Sequence, residues 1–258
     1  MSRKLIITTD PGQDQAAALM MILGAPEHFD VLGLIATARN IGLEHTVNNC
    51  AMVLELAGRT DIPIYRGCAR PLKRDLIMAE HVHGPTGMDG PDLPAPTMVI
   101  QDKHGVDFLI DTIYSEPAGS VTICSLSPLT NLGMALIKAP DIAVRIKDVV
   151  MMAGASSEGG NITPSAEFNV YVDPEAANIV LGSGMTMTML PLDVTHQMLS
   201  TPDRLQRMRQ TGTRCGIATA EMLKYSQTFD LAKYGWPGAP LHGPCVPAWM
   251  LCPDIFEG

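Results

Sequence analysis

Residues 5–23, Leu5-Ile6-Ile7-Thr8-Thr9-Asp10-Pro11-Gly12-Gln13-Asp14-Gln15-Ala16-Ala17-Ala18-Leu19-Met20-Met21-Ile22-Leu23, change character at Asp10. The apolar and β-branched run 5–9 reads as a buried strand. Asp10-Pro11-Gly12 turns the chain, and 14–23 reads as a helix. A strand, a tight turn and a helix make the first half of a βαβ unit.

The same alternation continues outward. Strands are predicted at 31–36, 62–65, 121–125, 149–152 and 185–190. Helices are predicted at 43–56 (closed by Gly58), 106–114, 129–137 and 174–181. Beyond Pro202 the pattern is helical, at 202–210, 216–225 and 245–251, and the Gly/Pro-rich stretch 84–96 reads as a long loop. The expected fold is α/β: a mostly parallel open sheet with helices on both faces and a Rossmann-like core. No repeat, linker or low-complexity segment divides it, so one domain over 1–258 is expected.

Composition narrows the function. The 258 residues are 46% hydrophobic and 17% charged, with a net charge of -9. That is a globular balance, and the acidic sign without any Lys/Arg run argues against nucleic acid as partner. No apolar stretch reaches membrane-spanning length, and the run after Lys4 meets Asp10 too early for a secretory leader. The six scattered cysteines contain no C-x-x-C pair and read as free thiols of a reducing cytoplasm. A small-molecule ligand is expected.

Ligands of open parallel sheets bind beyond the carboxyl ends of the strands. The polar residues that follow these strands are Asp10 and Asp14, Asn40, Ser125 and Ser127, then Asn161, Glu167 and Asn169, then Asp193 and His196. Carboxylates and amides brought together from distant segments suit a polyhydroxylated ligand, since each hydroxyl needs donors and acceptors. Any one of them also serves as an ordinary cap or turn residue.

Six stretches, in order, carry a resemblance. They are 8–16 (Thr-Thr-Asp-Pro-Gly-Gln-Asp-Gln-Ala), 79–84 (Ala-Glu-His-Val-His-Gly), 126–131 (Leu-Ser-Pro-Leu-Thr-Asn), 166–177 around Glu167-Phe168-Asn169, 193–197 (Asp-Val-Thr-His-Gln), and 241–245 (Leu-His-Gly-Pro-Cys). Together they resemble the inosine-uridine-preferring nucleoside hydrolases. That resemblance implies hydrolysis of the N-glycosidic bond of a ribonucleoside, through a ribosyl cation of oxocarbenium character. It also implies a homodimer or homotetramer and a Ca²⁺ ion. Carried over residue by residue, Asp10 matches the general base and a metal ligand, and His242 the proton donor to the leaving base. Asp14, Asn40, Asn161, Glu167 and Asn169 match ribose contacts. His83 lies in the loop over the base. Gln15 and the carbonyl of Leu126 stand at metal-ligand positions. Tyr225 and Phe229 fall where base-facing aromatics occur, although a core-packed helix face accounts for them equally well.

Four positions depart from the pattern. Thr8 stands for the first Asp of the opening motif, Gln15 and Gly243 stand for metal carboxylates, and Arg39 stands for a glycine before Asn40. Calcium affinity follows ligand charge and count, so weak or absent calcium binding is expected. The chain also stops at Gly258, soon after the helix that follows His242, so the family's C-terminal elements are expected to be lacking. Two functions stay open: a ribonucleoside hydrolase, weakened or with unusual metal use, and a non-catalytic nucleoside- or sugar-binding homologue. An aspartyl phosphohydrolase fits poorly, because Thr8 removes one of its two aspartates. A dinucleotide enzyme fits poorly too, because no G-x-G-x-x-G follows a strand.

Overall fold

A computed structural model describes residues 2–257, apart from the side chains of His81, Phe229, Asp230, Lys233 and Tyr234. In chain order the elements begin with β1 (Arg3–Thr9), α1 (Gln13–Leu23), β2 (Phe29–Ala36), α2 (Leu43–Ala57), β3 (Ile64–Arg66), α3 (Glu80–His83) and α4 (Gly105–Ser115). They continue with β4 (Val121–Ser125), α5 (Thr130–Lys138), β5 (Asp148–Met152), α6 (Phe168–Val172), α7 (Pro174–Leu181), β6 (Met187–Leu190) and α8 (Leu192–Thr195). A short β7 (Leu199–Ser200), α9 (Pro202–Gln210), α10 (Arg214–Tyr234), β8 (Ala239–Pro240) and α11 (Cys245–Leu251) complete the chain. None of the described helices is long and apolar enough to cross a membrane.

The first six strands form one parallel sheet in the order β3-β2-β1-β4-β5-β6, as the alternation predicts. Alternate residues of each strand enter different cores. Leu5, Ile7, Cys124, Val150 and Met152 face the helices α1, α2 and α11, while Ile6, Ile123, Val149 and Met151 face α4, α5 and α7. Both faces are therefore buried, which is why the strands read as continuous apolar runs. The chain builds outward from β1 to β3, then crosses back to place β4 on the other side of β1. The switch point lies between β1 and β4, where a parallel sheet opens a crevice at its carboxyl edge. The register sets Thr8 opposite Ser125 and Thr9 opposite Ala36, so the strand ends are level there.

Helix starts follow local chemistry. Asp173 caps α7 by accepting from Ala176 N–H (3.1 Å), with Pro174 at the first helical position. Its fully buried carboxylate also accepts from Thr130 Oγ1 (2.6 Å) and from the Leu72 N–H (3.0 Å). One side chain thus ties α5, α7 and the loop after β3. Asp173→Ala leaves three donors without an acceptor and is expected to destabilise the fold by about 3 kcal/mol or more. Urea unfolding should show the midpoint falling at unchanged slope, with Asp173→Asn, which keeps one acceptor, in between.

Candidate active site

The turn after β1 is shaped by close approaches. A Cβ on Gly12 would sit 2.6 Å from His83 Nδ1 and 3.0 Å from Asn40 Nδ2, so only glycine fits there. Gln15, in the first turn of α1, reaches back so that its Oε1 accepts the Gly12 N–H (3.2 Å). The same oxygen accepts from Asn40 Nδ2 (3.4 Å). Gln13, fully buried, holds the loop above: its Nε2 donates to His83 O (2.9 Å) and its Oε1 meets His83 Nδ1 (2.7 Å).

Asp10 lies beneath this turn with no exposed surface. Its Oδ2 accepts the Asn40 N–H (3.2 Å), and Arg39 Nε approaches the same oxygen at 2.7 Å as an ion pair, off the line of a hydrogen bond. Its Oδ1 has no hydrogen-bond partner, and neither has Asn40 Oδ1. Burial pushes the Asp10 carboxyl up to about 7, against the opposing pull of the Arg39 guanidinium. Arg39 is 5% exposed, and its guanidinium lies over the Phe168 ring at 4.9 Å.

Above Arg39 opens a cavity of about 340 Å³. Its polar lining residues are Asp14, Gln15, Arg39, Asn161, Glu167, Asn169 and His242, and its apolar ones include Ile77, Met78, Val82 and Ile162. Asp14 Oδ2 accepts the Gly243 N–H at 2.9 Å. Glu167 caps α6, accepting from Asn169 N–H (2.8 Å), Gly154 N–H (3.1 Å) and Val170 N–H (3.2 Å); burial raises its carboxyl pKa, and these donors oppose the rise. Asn161 Oδ1 accepts the Phe168 N–H (2.9 Å). Asn169 donates to Met152 O (3.0 Å) and keeps its Oδ1 without a partner. His242 Nδ1 lies 2.8 Å from the hydroxyl of buried Thr195. A hollow of this size and mixed lining at the sheet's carboxyl edge accommodates a small ligand that carries both hydroxyl groups and apolar surface.

The model of the inosine-uridine preferring nucleoside hydrolase family matches residues 5–258. The chain belongs to that family. It is 47% identical over 99% of its length to an uncharacterised protein of Schizosaccharomyces pombe, covering 82% of that protein. It is 43% identical, with the same coverage of both chains, to the pyrimidine-specific ribonucleoside hydrolase RihA of Photobacterium profundum. Among solved structures, the purine-preferring ribonucleoside hydrolase from Gardnerella vaginalis superposes with a TM-score of 0.93 at 30% identity, over 99% of this chain and 82% of that one. The sequence resemblance and the expected fold class thus hold, and the family's chemistry is hydrolysis of nucleosides.

Within the family's frame, the residues of this chain do not fit the family's calcium ion. Ca²⁺ takes six to eight oxygens, several of them charged. Here Thr8 Oγ1 donates to Ser125 Oγ (3.0 Å) in a neutral hydroxyl chain, and position 243 offers only backbone. Gln15, expected as a metal ligand, has its Oε1 engaged by two N–H donors. Asp10, the one carboxylate kept at the metal-ligand positions, already faces a cation, and Asp14 is engaged by the Gly243 N–H. No cluster of three or more His, Cys, Asp or Glu suited to a metal occurs among the described residues.

Other expectations need amending. Of Asp10, Leu126 and Asn169, expected to face one cleft, Asn169 lines the cavity, whereas Asp10, held against Arg39, and Leu126 are fully buried and do not. Asn40, expected as a ribose contact, is also fully buried and outside the lining. Among the described residues of α10, Ser226 lines the cavity; Tyr225 instead sits with its hydroxyl near Gly84, and the Phe229 side chain lies outside the described residues. Gln13, Thr195 and the apolar lining residues were not singled out from the sequence. The apolar run Leu76-Ile77-Met78-Ala79 between Asp75 and Glu80 was the available signal.

Proposed function

We propose that this chain cleaves the N-glycosidic bond of ribonucleosides, giving ribose and a free base. The carrying observation is a cavity lined both by Asp14, Asn161, Glu167 and Asn169 and by Ile77, Met78 and Val82, with Arg39, the partner of Asp10, in its wall. In this reading the polar residues receive the ribose and the apolar residues, with His83, the base.

The nucleophile is a water that reaches Asp10 from the cavity once the Arg39 side chain, which covers it in this structure, moves aside. Its oxygen bonds to the anomeric carbon as the C–N bond breaks, and its proton passes to Asp10, whose raised pKa near neutrality suits a base. The leaving base takes a proton from His242, whose ring is oriented by Thr195. The nearby carboxylates of Asp14 and Glu167 stabilise the developing ribosyl cation. Asn40 acts through Asp10, by donating its backbone N–H to Oδ2. Six free thiols support a reducing, cytoplasmic setting, and a homo-oligomer is part of the same reading.

A second reading is a nucleoside-binding protein without turnover. The burial of Asp10 behind Arg39 favours it. Reducing-sugar release from purine and pyrimidine ribonucleosides, run in ¹⁸O water, separates the two. Ribose carrying ¹⁸O at its anomeric hydroxyl is the expected product. Binding by calorimetry without ribose release from any nucleoside would leave the second reading standing and the first refuted.

A further inference from the structure

A divalent cation needs negative oxygens, and this chain has removed them while adding a positive charge. Of the family's carboxylates at positions 8, 10, 15 and 243, only Asp10 is kept. The new charge is Arg39, where the family has glycine. Its Nε lies 2.7 Å from Asp10 Oδ2, its plane is held by Phe168, and its guanidinium lines the cavity.

We propose that Arg39 is the built-in cation of this site: it neutralises Asp10 and offers its remaining N–H groups to the vicinal hydroxyls of the ribose, so that ribonucleosides bind without a divalent metal. The inference rests on the nucleoside reading above and deepens it.

Charge supports it first. Arg39 already pairs with Asp10, and the other carboxylates of the cavity, Asp14 and Glu167, are engaged by backbone N–H donors, so a dication would have to displace these partners and meet Arg39 at close range. Geometry supports it next. With Nε on Asp10, the two terminal nitrogens of the planar fork remain, and a cis-diol presents two acceptor oxygens side by side, a match that a lysine ammonium cannot reproduce. The departures also make sense only together. Arg39 inside an intact calcium site would set cation against cation. The loss of three carboxylates without Arg39 would leave Asp10 buried with no counter-charge, a costly arrangement.

The test uses the full chain and two variants, Arg39→Gly and Arg39→Lys. Uridine, inosine and their 2′-deoxy forms are titrated by calorimetry in excess EDTA and in millimolar calcium, and calcium is titrated alone. The wild type is expected to bind the ribonucleosides equally in both buffers and to show no calcium heat. Arg39→Gly should lose about 10- to 100-fold in affinity for ribonucleosides and much less for the deoxy forms, since charge-assisted hydrogen bonds are lost only with the former. Added guanidinium ion should restore the loss, and calcium should not. If Arg39→Gly fails to fold, Arg39→Lys carries the test: it keeps the charge beside Asp10 but should lose the discrimination between ribo and deoxy ligands. Wild-type binding that collapses in EDTA and returns with calcium overturns the role of Arg39 while sparing the nucleoside reading. Ribonucleoside affinity unchanged in either variant overturns it too. A wild type that binds no nucleoside in either buffer overturns the nucleoside reading and, with it, the diol contact.

Discussion

Asp10→Asn is expected to lower ribose release by about 10²- to 10⁴-fold, the range usual for a general base. The substitution keeps the shape of the side chain and an acceptor for the Asn40 N–H, so the turn after β1 should survive. It also strips the buried Arg39 guanidinium of the carboxylate 2.7 Å away. Breaking a buried ion pair by removing one partner costs about 3 to 5 kcal/mol, so a fall in activity alone could reflect unfolding. The double variant Asp10→Asn/Arg39→Gly separates the two effects. With both charges gone the desolvation penalty disappears, and the double variant should melt above Asp10→Asn, a non-additivity typical of residues in contact. Its ribose release at saturating nucleoside should stay at the level of the single variant. A folded Asp10→Asn protein with wild-type turnover would remove Asp10 from the reaction.

Rebuilding the family's metal carboxylates should convert the site to calcium only when Arg39 is also removed. Gln15→Asp and Gly243→Asp restore two ligands. Gly243 is not among the glycines of positive φ, and a Cβ there would lie 3.3 Å from Asp14 O and Gln15 Cα. An aspartate there needs its neighbours to shift by a few tenths of an ångström and no left-handed backbone. The pair made alone leaves the guanidinium against Asp10, and no calcium heat is expected. The triple variant with Arg39→Gly should bind calcium with a Kd of about 10⁻⁴ M or tighter, the weak end of carboxylate-rich protein sites. Equal calcium affinity in the double and triple variants would show that Arg39 does not compete for the position.

Much of this molecule was legible in one dimension. The strand Val121–Ser125 and the helices Pro174–Leu181, Pro202–Gln210 and Cys245–Leu251 were predicted to the residue, because each combines an uninterrupted pattern with a proline, a cap or a turn at its end. Helix α10 was predicted only over 216–225, yet runs over Arg214–Tyr234. The buried polar residues Ser226 and Gln227 interrupt its apolar period, and no breaker stands before Gly235. The single-turn helices α6 and α8 and the β7–β8 pair are too short to leave any periodicity.

By itself the sequence determined the parallel α/β architecture, the family, and the positions where the family's carboxylates are missing, since these follow from residue type and order along the chain. Tertiary structure alone decided what replaces them. Arg39 and Asp10 come from the ends of neighbouring strands, and parallel pairing of β1 with β2 sets those ends level. Only then does burial force the pair together, since an isolated charge of either sign could not stay in so dry a place. The apolar lining by Ile77, Met78 and Val82 and the hold of Gln13 on His83 likewise depend on a loop folding back over α1. Such contacts depend on distances in space, and no local pattern of residues encodes those.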